Sequence, residues 1–206
     1  EVITRRFQRL LPPAALTILA VLAAALMLFP ATEGSRTWRD AWSSLLYFEN
    51  WNLAFTEVDY YARDGVTPSP FQHFWSLSMQ GQVFVLWPLI IAGVWWVLRR
   101  RRRLVVPALG VVFGSIFAFS LWFSIASTEA NQSFAYFDTR ARLWEFAAGS
   151  LVALALPYLH VPRPLRAALG WIGVAGIVSC GIVLDVQGGF PGYLALWPIV
   201  CTALVI

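Results

Sequence analysis

Charged side chains are scarce in this sequence of 206 residues. Only 13% of the residues are Asp, Glu, Lys or Arg, whereas 59% are apolar, and the mean hydropathy is +0.65. An average soluble globular domain carries about 25% charged residues. The composition therefore excludes an ordinary soluble domain and predicts that a lipid bilayer is the natural solvent of this protein.

Cysteine is also rare, and the familiar catalytic motifs are absent. Cys180 and Cys201 are the only two cysteines, and both lie in apolar segments, where a thiol usually behaves as a small apolar side chain. The sequence has no Gly-rich phosphate loop, no spacing typical of metal ligands and no serine nucleophile motif. We therefore expect neither a disulfide nor a metal nor a bound cofactor.

The start of the sequence lacks the pattern of a secretory signal peptide. Glu1 is followed by an Arg-rich segment that ends in proline, rather than by a charged start, an apolar run and a small-residue cleavage site. At the other end, Ile206 lies within an apolar run. We therefore interpret the sequence as an interior part of a longer protein.

Long apolar runs make up much of the sequence. A helix needs about 20 mostly apolar residues to cross the hydrocarbon core of a bilayer, and six segments approach that length. They are 13–29, 83–98, 104–125, 143–159, 167–186 and 192–206. The predicted fold class is all-α, a polytopic transmembrane helix bundle that belongs to a single domain over residues 1–206.

Arginine sorts the connections between these segments into two groups. Short cytoplasmic connections of membrane proteins collect Lys and Arg. The arginine-rich connections alternate with the others along the chain and contain Arg5, Arg6 and Arg9, then residues 99–103, then Arg163 and Arg166. We therefore predict that these connections are cytoplasmic and that the connections 31–70, 126–140 and 187–191 lie on the extracytoplasmic side of the membrane. Because the arginines are clustered between apolar runs, nucleic acid is not expected as a partner.

The segment FQHFWSLSMQGQVFVLWP, residues 71–88, carries five polar side chains to the edge of a predicted span. They are His73, Ser76, Ser78, Gln80 and Gln82. In a helix, His73, Ser76 and Gln80 would share a face that could bind a polar substrate or line a pocket, while Gly81 would let another backbone approach closely. The alternative is an interfacial half-turn whose polar groups meet water.

Two pairs of charged residues have helical spacing. Arg6 and Arg9 could hold a phosphate through forked hydrogen bonds, or they could serve only as a cytoplasmic anchor. Arg142 and Glu145 are placed for an ion pair at the outer end of the fourth span, where structural pairing and substrate binding are equally open. Arg140, just outside, could meet an anionic substrate or a lipid phosphate.

The arginine run at residues 99–103 forms a short, strongly basic connection between two spans. Such runs usually fix the topology of a membrane protein and contact anionic lipid. We assign it no catalytic role.

Three motifs resemble those of the membrane acyltransferase family 3, and they occur in the family's order. They are RRFQRLLPPAAL at 5–16, HFWSLSMQGQVFVLWP at 73–88 and YFDTRARLWEFAAGSLVALAL at 136–156. Members of this family O-acylate sugars, peptidoglycan and lipid-linked glycans at the cell surface. The resemblance implies a bundle of about ten helices, of which about six lie in this sequence. It also implies transfer of an acyl group, first of all acetyl, from cytoplasmic acyl-CoA as donor substrate to an extracytoplasmic hydroxyl.

The resemblance also assigns residues. It implies that Arg6 and Arg9 contact the CoA phosphates and that Arg142, Trp144 and Glu145 lie near the pocket. Where many relatives have Glu-Glu-Gln, this sequence has Gln80-Gly81-Gln82, so one carboxylate is missing. The family's proposed general base is a histidine on a helix that would precede Glu1. We therefore expect no catalytic residue in this sequence, which would be inactive alone, and His73 is not expected to replace the histidine.

Two other classes of function remain open. A transporter or lipid flippase would also need polar groups in its spans, but it would predict paired half-bundles, which the sequence does not display. A membrane scaffold could bind a partner through the aromatic-rich loop 31–70, which is predicted to fold onto the outer membrane surface. A soluble domain fused after Ile206, as in some members of the family, is a further open prediction.

Overall fold

The computed structural model describes residues 2–28, 33–56, 69–183 and 189–206, with side chains from Gln8 onward. The helices are α1 (Val2–Leu28), α2 (Gly34–Leu45), α3 (Glu49–Phe55), α4 (Phe74–Leu98), α5 (Val105–Ala130), α6 (Gln132–Phe137), α7 (Thr139–Ala155), α8 (Arg163–Val183) and α9 (Leu196–Val205). Short 3-10 turns occur at Arg102–Leu104, Leu156–Tyr158 and Tyr193–Ala195. No strand occurs within the described ranges, so the all-α prediction is confirmed.

Four helices in the described part of the chain are long and apolar enough to cross a membrane. They cover Gln8–Leu28, Phe74–Leu98, Arg102–Ala130 and Arg163–Val183, with mean hydropathies between 1.7 and 2.3. The spans predicted at 143–159 and 192–206 correspond to the shorter helices α7 and α9, of 17 and 10 residues. Seventeen residues rise only about 25 Å, less than the hydrocarbon thickness of about 30 Å. Helix α7 is short because it begins with a polar turn and ends before Pro157.

The chain divides into two compact units, Glu1–Ala92 and Gly93–Ile206. In the first unit, α1 and α2 pack together around the buried side chains of Ile18, Leu22, Ala41 and Phe71. These apolar contacts hold α2 and the turn before α4 in place. The first unit thereby fixes two of the segments that supply its buried polar side chains.

Helix α2 has an unusual distribution of side chains. Its buried positions follow the helical period i, i+3, i+4, i+7 but are mostly polar: Thr37, Asp40, Ala41 and Ser44. Trp38 and Trp42, by contrast, are exposed. The predicted outer loop 31–70 is therefore folded into helices over 34–45 and 49–55, while residues 57–68 lie outside the described residues.

In the second unit, α5 packs along α7, and α8 packs along α9. Helix α8 approaches α9 closely because Gly173 and Gly176 leave room for the backbone carbonyl and thiol of Cys201. Many large apolar side chains remain exposed on both units, such as Leu19 at 63% and Ile182 at 81%. Exposed apolar surface on spanning-length helices is typical of contact with lipid.

Candidate functional site

The polar residues around the start of α4 lie on different faces. Ser78 is buried and Gln82 half-buried, and their spacing of four places them on one face of the helix. His73, in the turn before α4, is exposed, as are Ser76 and Gln80. The Ser76 hydroxyl donates a long hydrogen bond of 3.3 Å to the backbone carbonyl of His73. The structure thus brings two of the five into the interior of the first unit, and the pocket role of all five stays a prediction.

Ser78 and Gln82 join buried and half-buried polar groups from α2, α3 and the turn before α4. We call this group the amide-carboxyl cluster; its members are Asp40, Glu49, Asn50, Asn52, Ser69, Ser78 and Gln82. The Ser78 hydroxyl accepts a hydrogen bond from the backbone N–H of Glu49 at 3.2 Å. This bond ties the first residue of α3 to α4.

Gln82 makes the second connection between α4 and the α2–α3 segment. Its side-chain nitrogen donates hydrogen bonds to the backbone carbonyl of Tyr47 and to Oδ1 of Asn50, both at 2.9 Å. Its Oε1 accepts a longer bond of 3.4 Å from the indole of Trp51. An amide supplies donors and an acceptor together, which an ionised carboxylate cannot do. Glutamine therefore suits this position.

Asn52 lies between the two acidic members of the cluster. Its Nδ2 donates hydrogen bonds to Oδ1 of Asp40 at 2.8 Å and to Oε2 of Glu49 at 3.1 Å. Asp40 also accepts a hydrogen bond from the hydroxyl of Ser69 at 2.7 Å, and two arginine side chains of α2 approach it to 3.7 and 4.0 Å. The charge of Asp40 is therefore compensated from several directions.

Glu49 is fully buried and less well compensated than Asp40. Its Oε1 has no hydrogen-bond partner within the described residues. Burial and then the negative charge of Asp40 raise the pKa of Glu49 to about 9, against the opposing effects of Asn52, Arg39 and Arg36. At neutral pH this carboxyl is therefore a neutral acid that can donate a hydrogen bond.

Gly81 lets an aromatic ring lie against α4. The ring of Tyr47, in the turn between α2 and α3, fills the space that a Cβ at position 81 would occupy. Tyr47 itself has a positive φ of 58°, which is uncommon for a residue other than glycine. The close neighbour of Gly81 is thus a side chain and not the backbone that the sequence predicts.

In the second unit, hydrogen bonds fix the start of α7. Asp138 caps the helix by accepting the backbone N–H of Arg140 at 2.8 Å, and its carboxylate pairs with the Arg140 guanidinium, also at 2.8 Å. The Ser120 hydroxyl of α5 donates to the Arg140 carbonyl at 2.6 Å and accepts the N–H of Trp144 at 2.9 Å. Arg140, which the sequence predicts could meet an anionic substrate, is already paired with a buried carboxylate.

Trp144 is completely buried between α5 and α7. Its ring meets Phe117 edge-on, with 5.9 Å between the ring centroids. It therefore contributes to the packing of the second unit, and its predicted pocket role stays a prediction.

Arg142 and Glu145 form the ion pair that their helical spacing predicts. Arg142 Nη1 lies 2.7 Å from Glu145 Oε1. The guanidinium also lies over the rings of Phe190 and Tyr136, at 4.9 and 5.6 Å from their centroids. One carboxylate and two aromatic rings thus fix the orientation of a largely buried cation.

An apolar cavity of about 460 Å³ opens beside this ion pair. Its walls include Phe117 of α5, Val152 of α7, Leu196 of α9 and Phe190. Among the described residues that line it, Glu145 is the only one with an ionisable side chain. A cavity with mostly apolar walls and one polar group suits a small ligand with an apolar portion and a polar end.

The predicted donor residues lie near the start of α1. Arg9 is exposed, whereas the side chain of Arg6 lies outside the described residues. Both positions fall on the continuous helix Val2–Leu28, so their helical spacing is confirmed. Their contact with phosphate stays a prediction.

Relatives with assigned names match most of this chain. BcsY of Komagataeibacter xylinus, named as a membrane-bound transacylase, is 31% identical over 207 residues, which are 99% of this chain and 49% of BcsY. The peptidoglycan O-acetyltransferase OatA of Listeria monocytogenes is 29% identical over 182 residues, 85% of this chain and 28% of OatA. YrhL of Bacillus subtilis, named as a peptidoglycan O-acetyltransferase, is 30% identical over 153 residues, 74% of this chain and 23% of YrhL.

The chain belongs to the membrane acyltransferase 3 family. It spans about half the length of BcsY and about a quarter of the other two relatives. No family model and no solved structure matches the chain. The membership predicted from three motifs is thus supported by relatives that align over 74 to 99% of the chain.

Sequence reasoning missed the part of the amide-carboxyl cluster that α2 and α3 contribute in this acyltransferase family member. Asp40, Glu49 and Asn52 lie in a segment that the sequence marks only as an outer loop rich in aromatic residues. A usable signal was present, because the polar residues Thr37, Asp40 and Ser44 recur with helical spacing around the two tryptophans of α2. That pattern indicates a helix whose polar side faces inward.

Proposed function

We propose that the full-length protein is an O-acyltransferase of the plasma (inner) membrane. It moves an acyl group, with acetyl as the expected group, from cytoplasmic acyl-CoA to a hydroxyl of an extracytoplasmic glycan or glycolipid. The observation that carries this proposal is the alignment of 99% of the chain with a protein named as a transacylase. The names of the peptidoglycan O-acetyltransferases OatA and YrhL support a surface glycan as the acceptor.

The second unit offers a place for the acyl group and the acceptor. The apolar cavity beside Glu145 has room for a short acyl chain, while Arg142 is a fixed cation close to its polar end. In the reaction, a histidine upstream of this sequence takes the proton of the acceptor hydroxyl. The oxygen attacks the thioester carbonyl, the C–S bond breaks, and CoA leaves as the thiolate. A positive charge near the carbonyl oxygen stabilises the oxyanion that forms.

The donor would be held on the cytoplasmic side. Arg6 and Arg9, one helical turn apart on α1, bind the phosphates of CoA in this proposal, because a guanidinium forms forked hydrogen bonds with phosphate oxygens. The thioester then reaches into the helix bundle. The arginine-rich connections would face the cytoplasm and the α2–α3 segment the outside.

The test is the transfer of radiolabelled acetyl from acetyl-CoA to surface glycan in membranes that contain the full-length protein. We expect label on the glycan with the full-length protein and none with residues 1–206 alone. The variant Arg6→Ala/Arg9→Ala should raise the KM for acetyl-CoA about tenfold or more, since hydrogen bonds to charged groups each contribute about 1.5 to 3 kcal/mol.

A matched control is available in the same chain. Arg163 and Arg166 have the same spacing and lie at the start of α8, so Arg163→Ala/Arg166→Ala removes the same charge and should leave the KM unchanged. If both double variants raise the KM equally, Arg6 and Arg9 fix the membrane topology and do not bind the donor. No transfer with a panel of acyl-CoA donors would favour the transporter or flippase.

A further inference from the structure

The turn between α4 and α5 concentrates five guanidinium groups. Helix α4 ends at Leu98 and α5 begins at Val105. Two backbone hydrogen bonds close the connection, from the N–H of Arg101 to Leu98 at 2.7 Å and from the N–H of Leu104 to Arg101 at 2.9 Å. All five arginines at 99–103 therefore project from one short, ordered turn at the ends of two apolar helices.

These arginines surround a cavity and have no carboxylate to balance them in the described part of the second unit. The cavity measures about 620 Å³ and is lined by the five arginines and Leu104. Of the described acidic residues in this unit, Asp138 and Glu145 pair with other arginines. Glu129 lies near the far end of α5, whose 26 residues rise about 39 Å. The positive charge of the turn is thus available to an external anion.

The surroundings of the turn indicate where that anion comes from. Trp95 and Trp96, the last aromatic residues of α4, are 50% and 63% exposed. The guanidinium carbon of Arg99 lies 5.7 Å from the ring centroid of Trp96. Tryptophan at the end of a spanning helix typically lies at the level of the lipid headgroups. A headgroup phosphate therefore stands at the same depth as the cavity.

We propose that the 99–103 turn is a discrete, saturable binding site for the headgroup of an anionic phospholipid. The phosphate sits among the guanidinium groups, which bind its oxygens through forked hydrogen bonds. The acyl chains lie along the exposed apolar surface of α4 beside Trp95 and Trp96. This differs from the diffuse attraction of a basic loop to a charged membrane, because it predicts a fixed stoichiometry. It does not depend on the proposed acyltransferase reaction.

The test is native mass spectrometry of the full-length protein with added phosphatidylglycerol or phosphatidylcholine. We expect retention of phosphatidylglycerol that saturates and no comparable retention of phosphatidylcholine. The variant Arg100→Gln/Arg102→Gln should weaken phosphatidylglycerol binding about tenfold or more, since each arginine near an anionic lipid contributes about 1 kcal/mol. Three arginines remain in the turn to preserve its topology.

Two further variants keep the test decisive. Arg163→Gln/Arg166→Gln removes the same charge elsewhere in the second unit and should leave lipid retention unchanged. Arg100→Lys/Arg102→Lys keeps the charge and the topology but loses the forked geometry, and should weaken binding about threefold. Equal phosphatidylglycerol retention by the parent and the glutamine variant would overturn the proposal.

Coenzyme A shares the phosphate chemistry and is the competing occupant. Its binding to the same variants is measured by calorimetry. We expect the glutamine variant to bind coenzyme A as the parent does. If coenzyme A binding falls while lipid retention stays constant, the turn binds the donor phosphates and the lipid assignment is wrong.

Discussion

Each of the two units encloses a glutamate beside a partner, but the partners differ. Glu49 in the first unit is bonded to the amide of Asn52 and lies near the acidic Asp40. Glu145 in the second unit lies 2.7 Å from the guanidinium of Arg142. The amide of Asn52 offsets little of the cost of burying a charge, so Glu49 keeps its proton at neutral pH, whereas the contacting cation Arg142 opposes the effect of burial on Glu145 without cancelling it. The comparison shows that burial acts in the same direction on both carboxyls and that the partner determines how strongly it is opposed.

Removal of the Arg142 guanidinium should lower the stability of the protein more than the other substitutions do. Arg142→Ala leaves the Glu145 carboxylate beside an apolar cavity without its partner. We expect the free energy of unfolding to fall by about 3 kcal/mol, as for other broken ion pairs of low exposure. Thermal unfolding of the full-length protein in detergent, followed by fluorescence, measures the loss. Arg142→Lys, which keeps the charge, should lose less; equal losses would mean that ring packing dominates.

Filling the space above Gly81 should destabilise the first unit. A Cβ at Gly81 overlaps the ring of Tyr47, so Gly81→Ala should cost about 2 kcal/mol, within the range for overpacked sites. Gly93 lies on the same helix with open space around its Cβ position, and Gly93→Ala should be neutral or slightly stabilising. The same unfolding assay compares the two, and similar results for both variants would contradict the close contact.

The proton on Glu49 should make stability depend on pH. The pKa of Glu49 rises from its ordinary value of 4.5 to about 9 on folding. Between about pH 4.5 and 9, the folded protein therefore holds a proton that the unfolded chain has lost. The stabilisation is complete below that window and falls as the pH rises through it, by at most about 1.4 kcal/mol per pH unit.

The variant Glu49→Gln isolates this effect. An uncharged amide has nearly the shape of a protonated carboxyl, so the variant should fold at neutral pH and lose this part of the pH dependence. The measurement is the unfolding temperature from pH 5 to 9 for both proteins. Parallel curves would show that Glu49 is ionised in the folded state.

The smallest expected change in stability comes from replacing one of two serines of α4. The buried Ser78 accepts the N–H of Glu49, and Ser78→Ala should cost about 1 kcal/mol, the usual net value of one hydrogen bond. Ser76 is exposed and bonds only to its own turn, so Ser76→Ala should change stability by less than about 0.5 kcal/mol. An unfolding titration of both variants tests this difference, and the reverse order would contradict the assignment of faces.

Local spacing accounts for most of what could be predicted. The apolar runs predict the long helices, and the three-residue step from Arg142 to Glu145 predicts their ion pair, because residues one turn apart meet on any helix. The predicted spans at 143–159 and 192–206 are shorter as helices, because Pro157 and the turn before Leu196 limit them. Composition measures hydropathy but does not fix where a helix begins and ends.

The amide-carboxyl cluster could not be read from local spacing. Asp40 meets Ser69 across 29 positions, and Gln82 meets Asn50 across 32. Such contacts depend on how α2, α3 and α4 pack, and no periodic pattern encodes that packing. The same applies to Tyr47 over Gly81, where the sequence indicates only that space is available.

The sequence by itself determined the solvent of this protein, its helical class, its arginine-rich connections and its family, because hydropathy, charge and motif spacing are properties of short segments. The tertiary structure alone decided which polar residues are buried together, which carboxyl keeps its proton and where the apolar cavity lies. Those outcomes depend on the desolvation of each group by distant parts of the chain, and desolvation is known only once the helices are packed.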